Sequence, residues 1–136
     1  MHKLVRFCVA VFLLAAVLGT GVVLGQRKEL AKTTPEQRAK IQTDLMKSIL
    51  SLKDDQLDQV AKINQEFAEK ADPLLKGSEG DLTLMKQMNA LDKEKDTELQ
   101  KVLTSEQFET YGKNKKEIMK KMEAELQDSA QTPQEG

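Results

Sequence analysis

Apolar residues return along this chain at the three- and four-residue steps of a helix, in four separate runs. The first run carries Ile41, Leu45, Ile49 and Leu52, with Met46 and Leu50 beside them. The second is the cleanest, with Leu57, Val60, Ile63, Phe67, Ala71 and Leu74, and Pro73 near its end predicts a kink or stop around Ala71 to Asp72. "KGSEGD", Lys76 to Asp81, then breaks the pattern with two glycines and a serine. The third run spans Leu82 to Leu103 and is apolar at its ends, through Leu84, Met85, Met88 and Leu91 and then Leu99, Val102 and Leu103. Its middle, "DKEKD" from Asp92 to Asp96, carries charge on every side for more than a turn, which predicts a stretch that is exposed or bridges through solvent. The fourth run begins at Thr104 and places Phe108, Tyr111, Ile118, Met122 and Leu126 on one side, with Lys115 filling a gap in the stripe and Gly112 a weak point. The pattern predicts four helices and no strand, an all-α chain. The joints at "SLKDDQ" and at Leu103-Thr104 are short enough either to reverse the chain or to make a bend.

One six-residue phrase recurs at these helix starts: "TTPEQR" at Thr33, "LKDDQL" at Leu52 and "LTSEQF" at Leu103. A helix begins with backbone N–H groups that lack partners inside it. Thr104 can accept from one of them, and Gln107, three residues on, can reach back to the Thr104 N–H, the reciprocal arrangement of a capping box. Leu103 ahead of the cap can pack on Phe108 as a hydrophobic staple. In the first copy Thr34 is the cap, Pro35 suits the first helical position and Gln37 closes the box. The second copy keeps Leu52, Leu57 and Gln56, but Lys53 is a poor cap, which leaves Ser51 as the alternative. Read by itself, the phrase marks three helix starts.

The first 25 residues read as a leader rather than as fold. Lys3 and Arg6 precede an apolar run from Phe7 to Leu24, and Val23-Leu24-Gly25 is a small-residue cleavage site that leaves Gln26 as the new N-terminus. The run is long, so an uncleaved anchor is the alternative. Cys8 comes too early to carry a lipid. Cleavage removes His2 and Cys8 together, and the mature chain then has no histidine, cysteine or tryptophan. That excludes His-based acid–base pairs, Cys nucleophiles, His/Cys metal sites and disulfides, and leaves only carboxylate chemistry to an enzyme. No cofactor is called for, and we expect no enzyme. Removing Lys3 and Arg6 from the 21 basic residues leaves 19 against 22 acidic ones, a net charge of −3, which does not suit nucleic acid. Aromatic residues of the mature chain are few (Phe67, Phe108 and Tyr111), and methionines take over much of the apolar work. A chain of this size buries at best about two-thirds of its unfolded surface, so a thin core is expected. The reading divides the chain into a signal at 1–25, a loose segment at 26–33, a helical domain at 34–126 and a disordered tail at 127–136.

The phrase pair at Leu52 and Leu103, in an exported, helical chain rich in Met and Lys, resembles the LTXXQ motif of a family of small bacterial periplasmic proteins, the Spy/CpxP-like family. The motif positions are Leu52, Gln56, Leu103, Thr104 and Gln107, with Lys53 standing where the family has Thr. The likeness runs from about Leu52 to Met122. It implies four helices in an elongated, thin helical hairpin that pairs as a homodimer into a curved cradle. It also implies either of two activities. One is ATP-independent chaperoning of unfolded or aggregation-prone clients; the alternative is accessory regulation by docking on a sensor kinase or another specific envelope partner. No membrane partner is expected once the signal is gone. Met side chains are flexible and polarizable and suit a surface that must fit many partners. If the cradle applies, Phe67, Met85, Met88, Met119 and Met122 are candidates for a mixed client-binding face, with Lys115, Lys116 and Lys120 supplying its charge.

Overall fold

In the computed structural model of the chain, the described residues are 27–78 and 80–131. The expected signal, its cleavage site before Gln26 and the last residues of the tail lie outside them. All regular structure among the described residues is helical: a short helical segment at 27–31, then α1 (Pro35–Leu50), α2 (Asp54–Lys76), α3 (Asp81–Val102) and α4 (Ser105–Gln131). The short joints reverse the chain. On α1 and α2, Arg38 faces Asp72 and Thr43 faces Asn64. On α2 and α3, Gln56 faces Val102 and Lys70 faces Glu94. Lys115 of α4 faces Asp92 and Asp96 of α3, and Gln107 of α4 reaches Leu50 of α1. Each neighbouring pair is therefore antiparallel. The pairs α1–α2, α1–α4 and α2–α3 pack closely, whereas α3 and α4 touch least. The four helices form a bundle with one loose seam.

At the end that holds the α1–α2 and α3–α4 joints, every helix contributes to one apolar core. Met46 and Leu50 of α1, Leu52 of the joint, Val60 of α2, Leu99 of α3, Leu103, and Tyr111 and Ile118 of α4 are buried together. Leu57 and Phe108, the far members of the two staples, pack against this cluster. Fully burying a side chain of the Leu or Met class stabilises by about 1.5–3 kcal/mol, so this end carries most of the fold's hydrophobic stabilisation.

Several local expectations are corrected by the packing. Ser51 does not cap α2. It closes α1 from a left-handed conformation (φ 52°, ψ 52°), with its N–H donating to Lys47 O, and Lys53 in extended backbone is the N-cap of α2. Pro73 does not stop α2, which runs on to Lys76. Its last carbonyls are held from outside: Arg27 donates to Leu75 O at 3.2 Å, to Leu74 O at 3.3 Å and to Gly77 O. Residues 27–31, expected to be loose, are helical. They are tied to α1 by Arg38, whose guanidinium donates to Leu30 O at 3.0 Å and to Thr33 O at 2.7 Å. Residues 127–131, placed in the tail by sequence, continue α4. Among the described residues no helix is long and apolar enough to cross a membrane.

Candidate functional site

The repeated phrase does more than start helices. At Thr34 and Thr104 the capping boxes form in full: Gln37 N donates to Thr34 Oγ1 at 3.2 Å and Gln107 N to Thr104 Oγ1 at 3.1 Å. The two glutamines accept in return from the cap N–H groups at 3.0 Å each. At Lys53 only half the box exists, because an ammonium has no lone pair to accept with; Gln56 Oε1 takes the Lys53 N–H at 3.2 Å. In all three, the cap uses the oxygen of the glutamine amide and leaves its NH2 unspent. Gln37 is exposed and can spend it on water. Gln56 is buried and Gln107 half-buried, so theirs must find protein acceptors. They find each other. Gln56 Nε2 donates to Gln107 Oε1 at 2.7 Å, and Gln107 Nε2 donates to Gln56 Oε1 at 3.0 Å. Each also donates across to the last turn of the other hairpin's first helix, Gln56 to Val102 O at 3.2 Å and Gln107 to Leu50 O at 3.3 Å. Two helix starts and two helix ends are thereby joined in one clasp related by a local two-fold.

A polar waist follows beyond the apolar core, and it corrects the expectation for "DKEKD". Lys95 points inward, is 7% exposed, and donates across the bundle to Gln42 Oε1 of α1 at 2.8 Å. Burial, outweighing the nearby Asp92 and Asp96, pulls its ammonium down to about 7. Asp92 and Asp96 turn toward α4, where Lys115 Nζ donates to Asp92 at 2.6 Å and to both oxygens of Asp96 at 2.8 Å. Lys115 also sits 5.4 Å from the centre of the Tyr111 ring. The Tyr111 phenol is pushed well above its ordinary range, by burial first and by the charges of Asp96 and Asp92 second. Of the five charged positions only Lys93 and Glu94 stay exposed, and Glu94 is engaged by Lys70 at 2.9 Å. A helix that is polar all round is accommodated because its neighbours supply counter-charges.

Past the waist, exposed methionines stand on the sides of α3 and α4 that face each other across the seam. Met85, Asn89, Asp92 and Asp96 follow steps of four, three and four, so the side of α3 that meets Lys115 also carries Met85. Lys115, Met119, Met122 and Leu126 follow the same steps on α4. Met85 is 52% and Met119 38% exposed, and with Leu82 at 67% they are the large exposed apolar side chains among the described residues. Met88 is half-buried, and Lys116 and Lys120 are exposed beside Met119. Two sequence candidates are not on this surface. Met122 and Phe67 are each 4% exposed, Met122 inside the bundle and Phe67 beneath the Lys70 ammonium, which lies 4.6 Å from its ring centre. Lys115 does not offer a free charge, because Asp92 and Asp96 of α3 already bind it. Sequence reasoning does not single out Leu82, Lys95, Asp92 or Asp96. The spacing of the two aspartates opposite a lone lysine, Lys115, in the facing stripe is the available signal for two of these four.

A concavity of about 360 Å³ lies between residues 29–33, the start of α1 and the end of α4. Leu30, Ile41 and Leu126 line it together with the carboxylates of Glu29 and Glu123. Glu123 is partly buried, which pushes its carboxyl up, whereas Glu29 is half-exposed and paired with Lys32 at 2.9 Å. The two do not form the buried carboxylate pair that acid–base chemistry without histidine requires.

No curated protein and no solved structure matches the chain. A family model described as a domain of unknown function, DUF4890, matches residues 24–111. The match takes in α1, α2, α3 and both halves of the glutamine clasp, and it ends at Tyr111 within α4. It spans well over half of the chain, which therefore belongs to the DUF4890 family.

Proposed function

We propose that this protein is a periplasmic, ATP-independent holding chaperone of the LTXXQ kind, which keeps unfolded or aggregation-prone clients from associating. The observation that carries the reading is the pair of exposed methionines on the facing sides of α3 and α4, Met85 and Met119, with Leu82 exposed at the start of α3 and Lys116 and Lys120 exposed beside Met119. Exposed apolar side chains gathered along one seam mark an interaction surface more often than scattered ones do. Thioether side chains adapt to many partner shapes. The glutamine clasp supports the LTXXQ resemblance because it gives the paired phrases a joint purpose that an isolated cap would not have. Pairing of two such chains into a curved cradle belongs to the same proposal and is read from solution mass by light scattering.

The test is suppression of aggregation of two unrelated chemically denatured enzymes, with no nucleotide present. Protection of both is expected. Protection of neither, with tight binding to a single envelope partner instead, would replace the holding role by that of a dedicated regulator.

A further inference from the structure

Two features of the α3–α4 seam belong together. On the clasp side of the waist, α3 and α4 share the apolar core through Leu99, Leu103 and Tyr111, and Ile118, just beyond Lys115, is buried with them. Farther from the clasp Met85 and Met119 are exposed. Over their whole length α3 and α4 touch least of the neighbouring pairs. Between these halves stands Lys115, bonded to Asp92 and Asp96. We propose that Lys115 with Asp92 and Asp96 is a latch on this seam. Closed, it holds α3 to α4; parted, it lets the two helices swing apart about the glutamine clasp and separates their methionine-bearing sides to admit a client. This rests on the holding role proposed above and supplies its gate.

The energetics favour a latch over a permanent rivet. The side chains of Lys115, Asp92 and Asp96 are 23%, 38% and 32% exposed, so water and salt reach the bridge and screen it. The closed state also keeps the Lys95 ammonium in the interior with Gln42 as its hydrogen-bond acceptor. Opening the seam would hydrate that ammonium and recover part of its desolvation penalty. The hinge is built for rotation at one end only. Gln56 and Gln107 fix the joint end, while Gly77 and Gly80 of the α2–α3 connection lie at the other end, where α3 begins.

The experiment uses spin-label distances in the exported protein, with Cys8→Ser if the leader is retained, so that introduced cysteines are the only ones. Labels at K86C and K120C span the methionine-bearing half, and labels at K53C and S105C flank the clasp. In K115Q, and in the parent at high salt, the K86C–K120C distribution should gain a longer component while K53C–S105C stays unchanged. An unchanged K86C–K120C distance in K115Q, or equal lengthening of both pairs, overturns the latch. A second arm joins M88C to M119C with a reducible thiol cross-linker and measures protection of a denatured enzyme. Protection should fall on cross-linking and return on reduction; undiminished protection by the cross-linked form overturns the gate. If the parent protects no client, the holding role fails, and the spin-label distances still decide whether the latch exists.

Discussion

The side-chain amides of Gln56 and Gln107 donate to each other, and each reaches the terminal carbonyl of the opposite hairpin's leading helix. A capping residue has thus become a tertiary one. Removing either amide strands buried groups, so Gln56→Ala and Gln107→Ala should each destabilise by about 1–3 kcal/mol. The double variant should cost less than the sum of the two, because the second truncation finds the pair already broken. Urea unfolding of the full cycle checks this; strict additivity would mean that the two glutamines act only as separate caps.

The helix starts differ in quality. Thr104 both accepts and is accepted, and Thr104→Ala should destabilise by about 0.5–2 kcal/mol. Lys53 occupies an extended N-cap (φ −76°, ψ 160°) without an acceptor, so Lys53→Thr completes the box and should stabilise by about 1 kcal/mol. Opposite shifts in the thermal midpoint of the two variants are the expected result.

What the sequence made legible follows from the range of the forces involved. Thr34 and Thr104 were readable as caps because capping is settled within four residues. Phe67 and Met122 were correctly placed on apolar stripes, but a stripe does not say whether another helix covers it, and both turned out to be interior. Lys95 and the helix end after Pro73 have partners far along the chain, Gln42 for the ammonium and Arg27 for the carbonyls of Leu74 and Leu75, which local pattern does not reveal. The clasp was half legible. The glutamine recurs visibly in the sequence, but the burial that obliges its idle NH2 to find an acceptor is set by packing between hairpins.

Gly112 lies within α4, and a methyl group there would meet nothing within 4 Å. Gly112→Ala should therefore stabilise by about 0.5–1 kcal/mol through lower chain entropy and better helix propensity. A loss of stability on urea unfolding would show that the helix needs to bend at this position.

Lys95 makes stability depend on pH with a definite sign. Its folded value is lowered from 10.5 to about 7. Between those values the unfolded chain holds the proton and the folded one does not, so rising pH favours folding, by at most about 1.4 kcal/mol per pH unit. The full penalty is present below the folded value and is gone above the unfolded one. Lys95→Met should accordingly be more stable than the parent near neutral pH, by about 1–4 kcal/mol, and this advantage should shrink as pH rises toward 10. Paired urea titrations at both ends of that window give the comparison; an advantage that grows with pH would mean that Lys95 is not buried as a charge.

The central claim is that clients are held at the α3–α4 seam. Methyl-labelled methionine NMR tests it most directly, because the folded chain carries Met46 at 0% exposure as an internal control beside Met85, Met88, Met119 and Met122. On adding a denatured client, the Met85, Met88 and Met119 methyl signals should shift or broaden while Met46 stays in place. Shifts confined to other regions, or no change at any seam methionine in a sample that demonstrably protects the client, would contradict the account.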